Sequence, residues 1–345
     1  MSVLTNRIIS RAVFLISLLY GCAPDTDAPL GGERSEPAAE SGRGGIGKAD
    51  GAHEQAPHGE GPAGCVFDLE DEFEPRSTFQ SGPWKGACHD TRTRRPVDFL
   101  SDERAAIFQD PTGYLVVNNL YHRGAFWIAF IPERDVSHVY FQLEYFPAVV
   151  PAGHTQLRVA YQRPVILYGQ SSSVKGLRDE VFDLTLSIEA VTRPGDQYDL
   201  LKGTQEHFAI AYRLTSMEAR FEDMVLRQGH HVEQWRLLLE QEEADALLLH
   251  YISESAEHQL AHSYHTLFKN CTTEIIEILD GIALYSWREH VQRFLVKVTE
   301  IYPNIVRAAL IARGLLPLDQ STDIEPLEED AEFIKGYEER NPQER

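Results

Sequence analysis

A cysteine placed where a helix begins can act as a nucleophile, and this sequence has one. In Tyr264-His265-Thr266-Leu267-Phe268-Lys269-Asn270-Cys271-Thr272-Thr273-Glu274, Asn270 is a favoured N-cap. That makes Cys271 the first helical residue and puts Glu274 in the first turn. Backbone N–H groups and the positive helix end stabilise a thiolate there. Such thiols titrate between roughly 3.5 and 7.5, against about 8.5 for an ordinary cysteine. A thiolate nucleophile needs a base from elsewhere in the fold. His138 is the candidate, standing among Val136, Val139, Phe141 and Leu143, where an ionisable ring has no ordinary reason to sit. The bland readings are a buried structural cysteine and a core histidine bonded to a carbonyl. The backbone N–H of Cys271 would supply one oxyanion donor.

Two other chemistries are weaker. His258, His262 and His265 fall at i, i+4 and i+7, a spacing that could hold zinc on one helical face, but no CxxC or HExxH accompanies them. No metal and no cofactor is therefore expected. Gly42-Arg43-Gly44-Gly45-Ile46-Gly47-Lys48-Ala49 approaches a phosphate-binding loop. It has Ala49 where Ser or Thr is required, and no hydrophobic strand precedes it. The net charge of -21, from 32 basic and 53 acidic residues, excludes a nucleic-acid partner, which needs clustered Lys and Arg.

The elements that must position these residues change in kind along the chain. Tyr114 to Leu120, Ala125 to Ile131, Val136 to Phe146, Gln156 to Gln162, Val165 to Tyr168 and Val181 to Ile188 are β-branched or aromatic and partly alternate, which predicts an antiparallel sheet. His207 to Leu214 is a further strand or the approach to a helix. After Thr215 the period turns helical. Helices are expected from about Glu242 to Ala261, from Cys271 to Leu279 with Gly281 as the C-cap, and within Phe294 to Leu315. Strands first and helices later predict an α+β fold in one domain, residues 65–318. Residues 22–64, rich in Gly, Pro, Ala, Ser and Glu, read as a flexible tether. Residues 319–345, with 10 acidic and 3 basic side chains, read as a mobile acidic tail.

The N-terminus carries Arg7 and Arg11 before the apolar stretch Ala12 to Tyr20, a secretory signal at 1–21. Leu18-Leu19-Tyr20-Gly21-Cys22 resembles a bacterial lipoprotein lipobox. The resemblance implies lipidation of Cys22, a membrane as partner through that anchor, and a place in the cell envelope. With Ala23-Pro24 and no Asp at the second mature position, it implies the outer membrane, facing the periplasm or the cell surface. Such a compartment permits disulfides, so Cys65 and Cys88 are expected to pair.

Val136-Ser137-His138-Val139-Tyr140-Phe141, Leu186-Ser187-Ile188-Glu189-Ala190 and the Tyr264 to Thr273 segment together resemble the ordered motifs of the Lnb-type periplasmic domain, a family named for a lipoprotein N-acyltransferase. The resemblance spans roughly Tyr114 to Leu316 and implies a permuted papain-like thiol fold, similar to the lecithin:retinol acyltransferase group. It implies Cys271 as acyl-accepting nucleophile, His138 as base and Glu189 orienting the imidazole, with His154, Gln142 and Glu144 as alternatives for that third role. Asn270 and Tyr264 are the flanking residues it assigns to the oxyanion side or to positioning. The function implied is a thioester-forming acyltransferase or hydrolase acting on lipid or lipoprotein acyl groups. The alternatives are a papain-like cell-wall amidase and a non-catalytic surface lipoprotein.

Overall fold

The computed structural model describes residues 58–60, 65–146, 153–266, 268–283, 306–318 and 325–342. The signal, the lipobox Cys22, nearly all of the tether and Gly42 to Ala49 lie outside them. The strands are β1 (His58–Glu60), β2 (Val66–Asp68), β3 (Asp98–Phe99), β4 (Tyr114–His122), β5 (Ala125–Pro132), β6 (Val136–Tyr145), β7 (Gly153–Gly169), β8 (Arg178–Val191), β9 (Phe208–Ser216), β10 (His231–Arg236), β11 (Ser263–Tyr264) and β12 (Glu325–Pro326). The helices are α1 (Asp102–Ala105), α2 (Leu200–Gly203), α3 (Met217–Phe221) running into a π turn (Glu222–Arg227), α4 (Gln241–His258), α5 (Cys271–Ile282), α6 (Val306–Ala312) and α7 (Ala331–Arg340). The protein is α+β, as the order of periodicities predicts.

Strands β4, β5, β7, β8 and β9 close into a barrel. Neighbours pair antiparallel, except where Tyr121 of β4 meets Thr215 of β9 in the parallel contact that shuts the ring. β7 is long enough to serve two partners, β6 along its first half and β5 along its second. The sequence suggests two strands here because Pro164 interrupts the pattern. One continuous strand forms, and the β7–β8 register shifts between Ala160 and Val165, where a residue without an N–H does least harm to the ladder. A second irregularity lies between Val117 and Leu120. Asn119 adopts φ 60° there, and its amide donates to the carbonyls of Pro96 and Phe73. Asparagine tolerates that left-handed conformation better than most residues.

Side-chain alternation divides the β6–β7–β8 region into two unlike faces. Val139, Phe141, Leu143, Leu157, Val159, Leu184, Leu186 and Ile188 form one, buried and apolar. Helix α4 covers it through Leu247, Leu248, Tyr251 and Ile252, and α5 through Ile275, Ile276 and Leu279. The other face carries Gln142, Glu144, Gln156, Arg158, Asp183, Thr185, Ser187 and Glu189, also withdrawn from water. Met217, Phe221 and Met224 of α3 and the π turn, with Phe333 and Tyr337 of α7, form a separate apolar cluster beside it.

Three expectations change. The C-terminal segment is not wholly a mobile tail: Asp330 caps α7, Phe333 and Tyr337 are buried, and Asp330 pairs with Arg158. Gly281 lies inside α5, because the helix continues to Ile282. Its value is close packing, since a Cβ there would come within 2.1 Å of the His250 ring. Helix α4 ends at His258, and Gln259 turns with φ 47°. His262 and His265 therefore lie beyond the helix and do not share a helical face with His258. Cys65 and Cys88 do pair, with Cα atoms 5.7 Å apart. Their separation of 23 residues is worth roughly 3 kcal/mol in the chain-entropy account.

Candidate functional site

Helix α5 begins as its sequence dictates. Asn270 has extended backbone and its carboxamide oxygen accepts from the N–H groups of Thr272 and Thr273 at 2.9 and 3.0 Å. Thr273 returns the favour, accepting from the Asn270 N–H at 2.9 Å, and the Asn270 amide donates to the Thr266 carbonyl at 2.7 Å. This double tie fixes the approach to the helix as well as its first turn. Cys271 follows, fully buried. The Tyr264 phenol, also buried, lies close to the Cys271 backbone N–H. Burial holds the Tyr264 phenol well above its ordinary pKa. Glu274, one turn on, is buried and accepts from Tyr212 at 2.7 Å; burial raises its carboxyl pKa.

Cys271 is not a free thiol in this structure. Next to it, Thr272 meets Thr155 of β7 across 3.2 Å. This contact locates the cysteine turn against the start of β7, whose first residues are Gly153 and His154.

On the opposite side of that strand start, His154 Nε2 stands 3.4 Å from Glu189 Oε1, without hydrogen-bond geometry. The strand register explains the meeting, because Gln156 of β7 is opposite Ser187 of β8 and Glu189 lies two residues further on the same face. Ser187 donates to Glu189 at 3.0 Å, and Arg94 approaches the other carboxylate oxygen at 3.9 Å. Burial opposes the Glu189 charge, yet the His154 ring and the Arg220 and Arg94 guanidinium groups around it hold the carboxyl well below the usual range.

His138 is elsewhere. It pairs with Ala160, five residues along β6 from Leu143, the neighbour of Thr155. At about 3.3 Å per residue that is roughly 16 Å from the level of the Cys271 turn. Its ring lies near Tyr140, burial and the Arg236 guanidinium push its pKa down, and Nδ1 is buried with no hydrogen-bond partner among the described residues. The structure thus brings Glu189 to His154, and Asn270 and Tyr264 to Cys271. It does not bring His138 to Cys271. Gln142 and Glu144 belong to the polar face, bonded to Gln234 and to His230. Arg94, Thr155 and Ser187 escape a reading of the sequence, since their meeting depends on strand register and not on spacing.

His258 and His262 place their rings 4.5 Å apart, while His265 packs against Phe268. Among the described residues, no group of three His, Cys, Asp or Glu side chains is placed to hold a metal ion.

Residues 125–300 match the family model of the Lnb N-terminal periplasmic domain. The chain belongs to this family. The matched span runs from the first residue of β5 past the end of α5, so it contains His138, His154, Glu189 and Cys271. No curated protein and no solved structure gave a match. The periplasmic character of the family places the protein in the cell envelope, and among the described residues no helix is long and apolar enough to cross a membrane.

Proposed function

We propose that this Lnb-family protein is a cell-envelope thiol enzyme of permuted papain-like type, anchored through a lipid on Cys22, that transfers or hydrolyses acyl groups. Cys271 in its thiol form is the nucleophile, His154 the base, and Glu189 the carboxylate that faces the imidazole. The observation that supports this reading is that both groups lie at the start of β7, where Thr155 touches Thr272 of the Cys271 turn and its neighbour His154 meets Glu189 on the other side of the strand. His154 replaces His138 in the role of base because of that position.

The chemistry has two halves. His154 takes the Cys271 proton, and the thiolate adds to an ester or amide carbonyl; the carbon–sulfur bond forms and the bond to the alcohol or amine breaks. The imidazolium returns the proton to that leaving group. An amine or water then attacks the thioester and regenerates the thiol, giving transfer or hydrolysis. Lipid and lipoprotein acyl groups are the substrates that a membrane anchor would bring within reach.

A non-catalytic role is the second reading. Cys271 is buried and is not a free thiol in this structure, and His154 and Thr155 project to opposite sides of β7. Covalent labelling separates the two. The full chain, mildly reduced and treated with an activated acyl ester, is expected to gain one acyl mass on Cys271. The adduct should vanish in Cys271→Ser, fall at least about tenfold in rate in His154→Ala and persist in His138→Ala. Labelling that ignores both Cys271→Ser and His154→Ala would sink the catalytic reading.

A further inference from the structure

Where β4 and β9 close the barrel, a cavity of about 420 Å³ opens beneath α3 and the π turn. Four arginines line it: Arg123 from the β4–β5 turn, Arg213 from β9, Arg220 from α3 and Arg227 from the π turn. Such a cluster is out of keeping with a chain of net charge -21. Local cation pairs fix each group in position. Arg123 donates to Asp179 and Asn341, both at 2.8 Å. Arg213 lies over the Tyr121 ring at 4.8 Å, and that ring is part of the lining. Arg220 bonds Gln156 and Glu144, while Arg227 bonds Asp223. The carboxylates in the wall are engaged as well, Glu222 with Tyr337 and Asp223 with Arg227 and Gln228.

One lining group is left over. Thr215 is fully buried, and its Oγ1 has no hydrogen-bond partner among the described residues. A buried hydroxyl without a partner is destabilising, so its presence beside this cavity calls for an acceptor. Arg123 adds to this, adopting φ 45° in a turn position that Asn or Gly occupies more easily.

We infer that this cavity is a binding site for a phosphate ester. Four arginines and an unpartnered hydroxyl around one space suit a group with three or more acceptor oxygens and a full negative charge, more than the two oxygens of a carboxylate. The volume exceeds that of a bare phosphate and lies in the range of small-ligand pockets, leaving room for a glycerol-sized substituent. The ester is either a lipid headgroup or a soluble metabolite of the same chemistry. The site lies on the barrel seam and holds whether or not Cys271 reacts.

Calorimetric titration of the full chain in a phosphate-free neutral detergent tests it. Glycerol 1-phosphate should bind saturably and more tightly than inorganic phosphate, with affinity falling as salt rises. Arg213→Gln and Arg227→Gln should each weaken it roughly tenfold, and Thr215→Val by a smaller factor. Arg227 is mostly exposed, so that variant keeps the test open if Arg213→Gln fails to fold. Displacement of glycerol phosphate by phosphatidylglycerol vesicles identifies a lipid source, and retention identifies a soluble one. The site is refuted if neither phosphate compound binds saturably, if citrate binds as well as glycerol phosphate, or if Arg227→Gln binds like the unaltered chain.

Discussion

The two faces of the β6–β7–β8 sheet are both covered and are held by different physics. Under α4 and α5, contact is between branched and aromatic side chains, and each fully buried one contributes about 1.5–3 kcal/mol through lost apolar area. Under α3 and α7, the same strands present Gln142, Gln156, Arg158 and Glu144, joined to Gln234, Asp330 and Arg220 by hydrogen bonds and ion pairs. Area is tolerant, since volume-conserving swaps cost little. A buried polar network is intolerant, because removing one member strands the others. The second face also holds the His154–Glu189 pair and leads to the arginine-lined cavity. The first holds Cys271.

Arg158 is the strongest test of that contrast. Its guanidinium bonds Asp183 at 2.7 Å, Asp330 at 2.5 Å and Gln234 at 3.3 Å, and lies over the rings of Tyr140 and Phe333. Burial opposes its charge, but the two carboxylates outweigh burial and raise its pKa further. Arg158→Met keeps most of the volume and leaves two carboxylates in low dielectric, so a loss of about 3–5 kcal/mol is expected in urea unfolding. Because Asp330 caps α7, protease should then cut near that helix first. Leu157→Met, its neighbour on the apolar face, should cost under about 1.5 kcal/mol. Equal losses would erase the distinction between the faces.

His89 sharpens the comparison from the apolar side. It follows the Cys65–Cys88 clasp, its ring lies tilted 4.2 Å from the Phe79 ring, and Ser77 Oγ stands 2.9 Å from Nδ1. Burial lowers its pKa from 6.5 to about 4. Between those values the unfolded chain binds a proton that the folded chain refuses. Stability is therefore full above pH 6.5 and falls as pH drops toward 4, by about 3 kcal/mol in all. Asp179, held at about 2 through its hydrogen bond from His122 against the cost of burial, loses its contribution at lower pH. Urea midpoints measured from pH 7.5 to 4 should lose most of this slope in His89→Leu. An unchanged slope would remove His89 from the acid response.

Much of the apolar face was legible in the sequence. Alternation located the long strands, the Asn270 cap located the start of α5, and an oxidising compartment paired Cys65 with Cys88. The polar face was not. Gln156 and Arg158 alternate with Leu157 and Val159 as the solvent side of a half-buried strand would, and only α3 and α7, which fold back over them, turn that side inward. The acidity of the last segment hid α7, although Asp330 with Phe333 and Tyr337 is a cap followed by an i, i+4 apolar pair. The choice between His138 and His154 was equally hidden. Only register separates them, placing Glu189 beside one and Ala160 beside the other.

The smallest effect is expected at Asn270, where two functions of one side chain can be pulled apart. Its oxygen caps α5, and its amide holds the Thr266 carbonyl. Asn270→Ala removes both and should cost about 1–2 kcal/mol. Asn270→Asp keeps an acceptor for the Thr272 and Thr273 N–H groups, and a carboxylate is favoured at a helix N-terminus. It also sets a negative oxygen against the Thr266 carbonyl. If the cap is the larger contribution, Asp should unfold near the unaltered chain in urea. If the tie to Thr266 governs, Asp should fall to or below Ala, because repulsion replaces a hydrogen bond there. The second result would mean that Asn270 serves chiefly to fix the loop that carries Tyr264 over Cys271, and that helix stability is incidental to its choice.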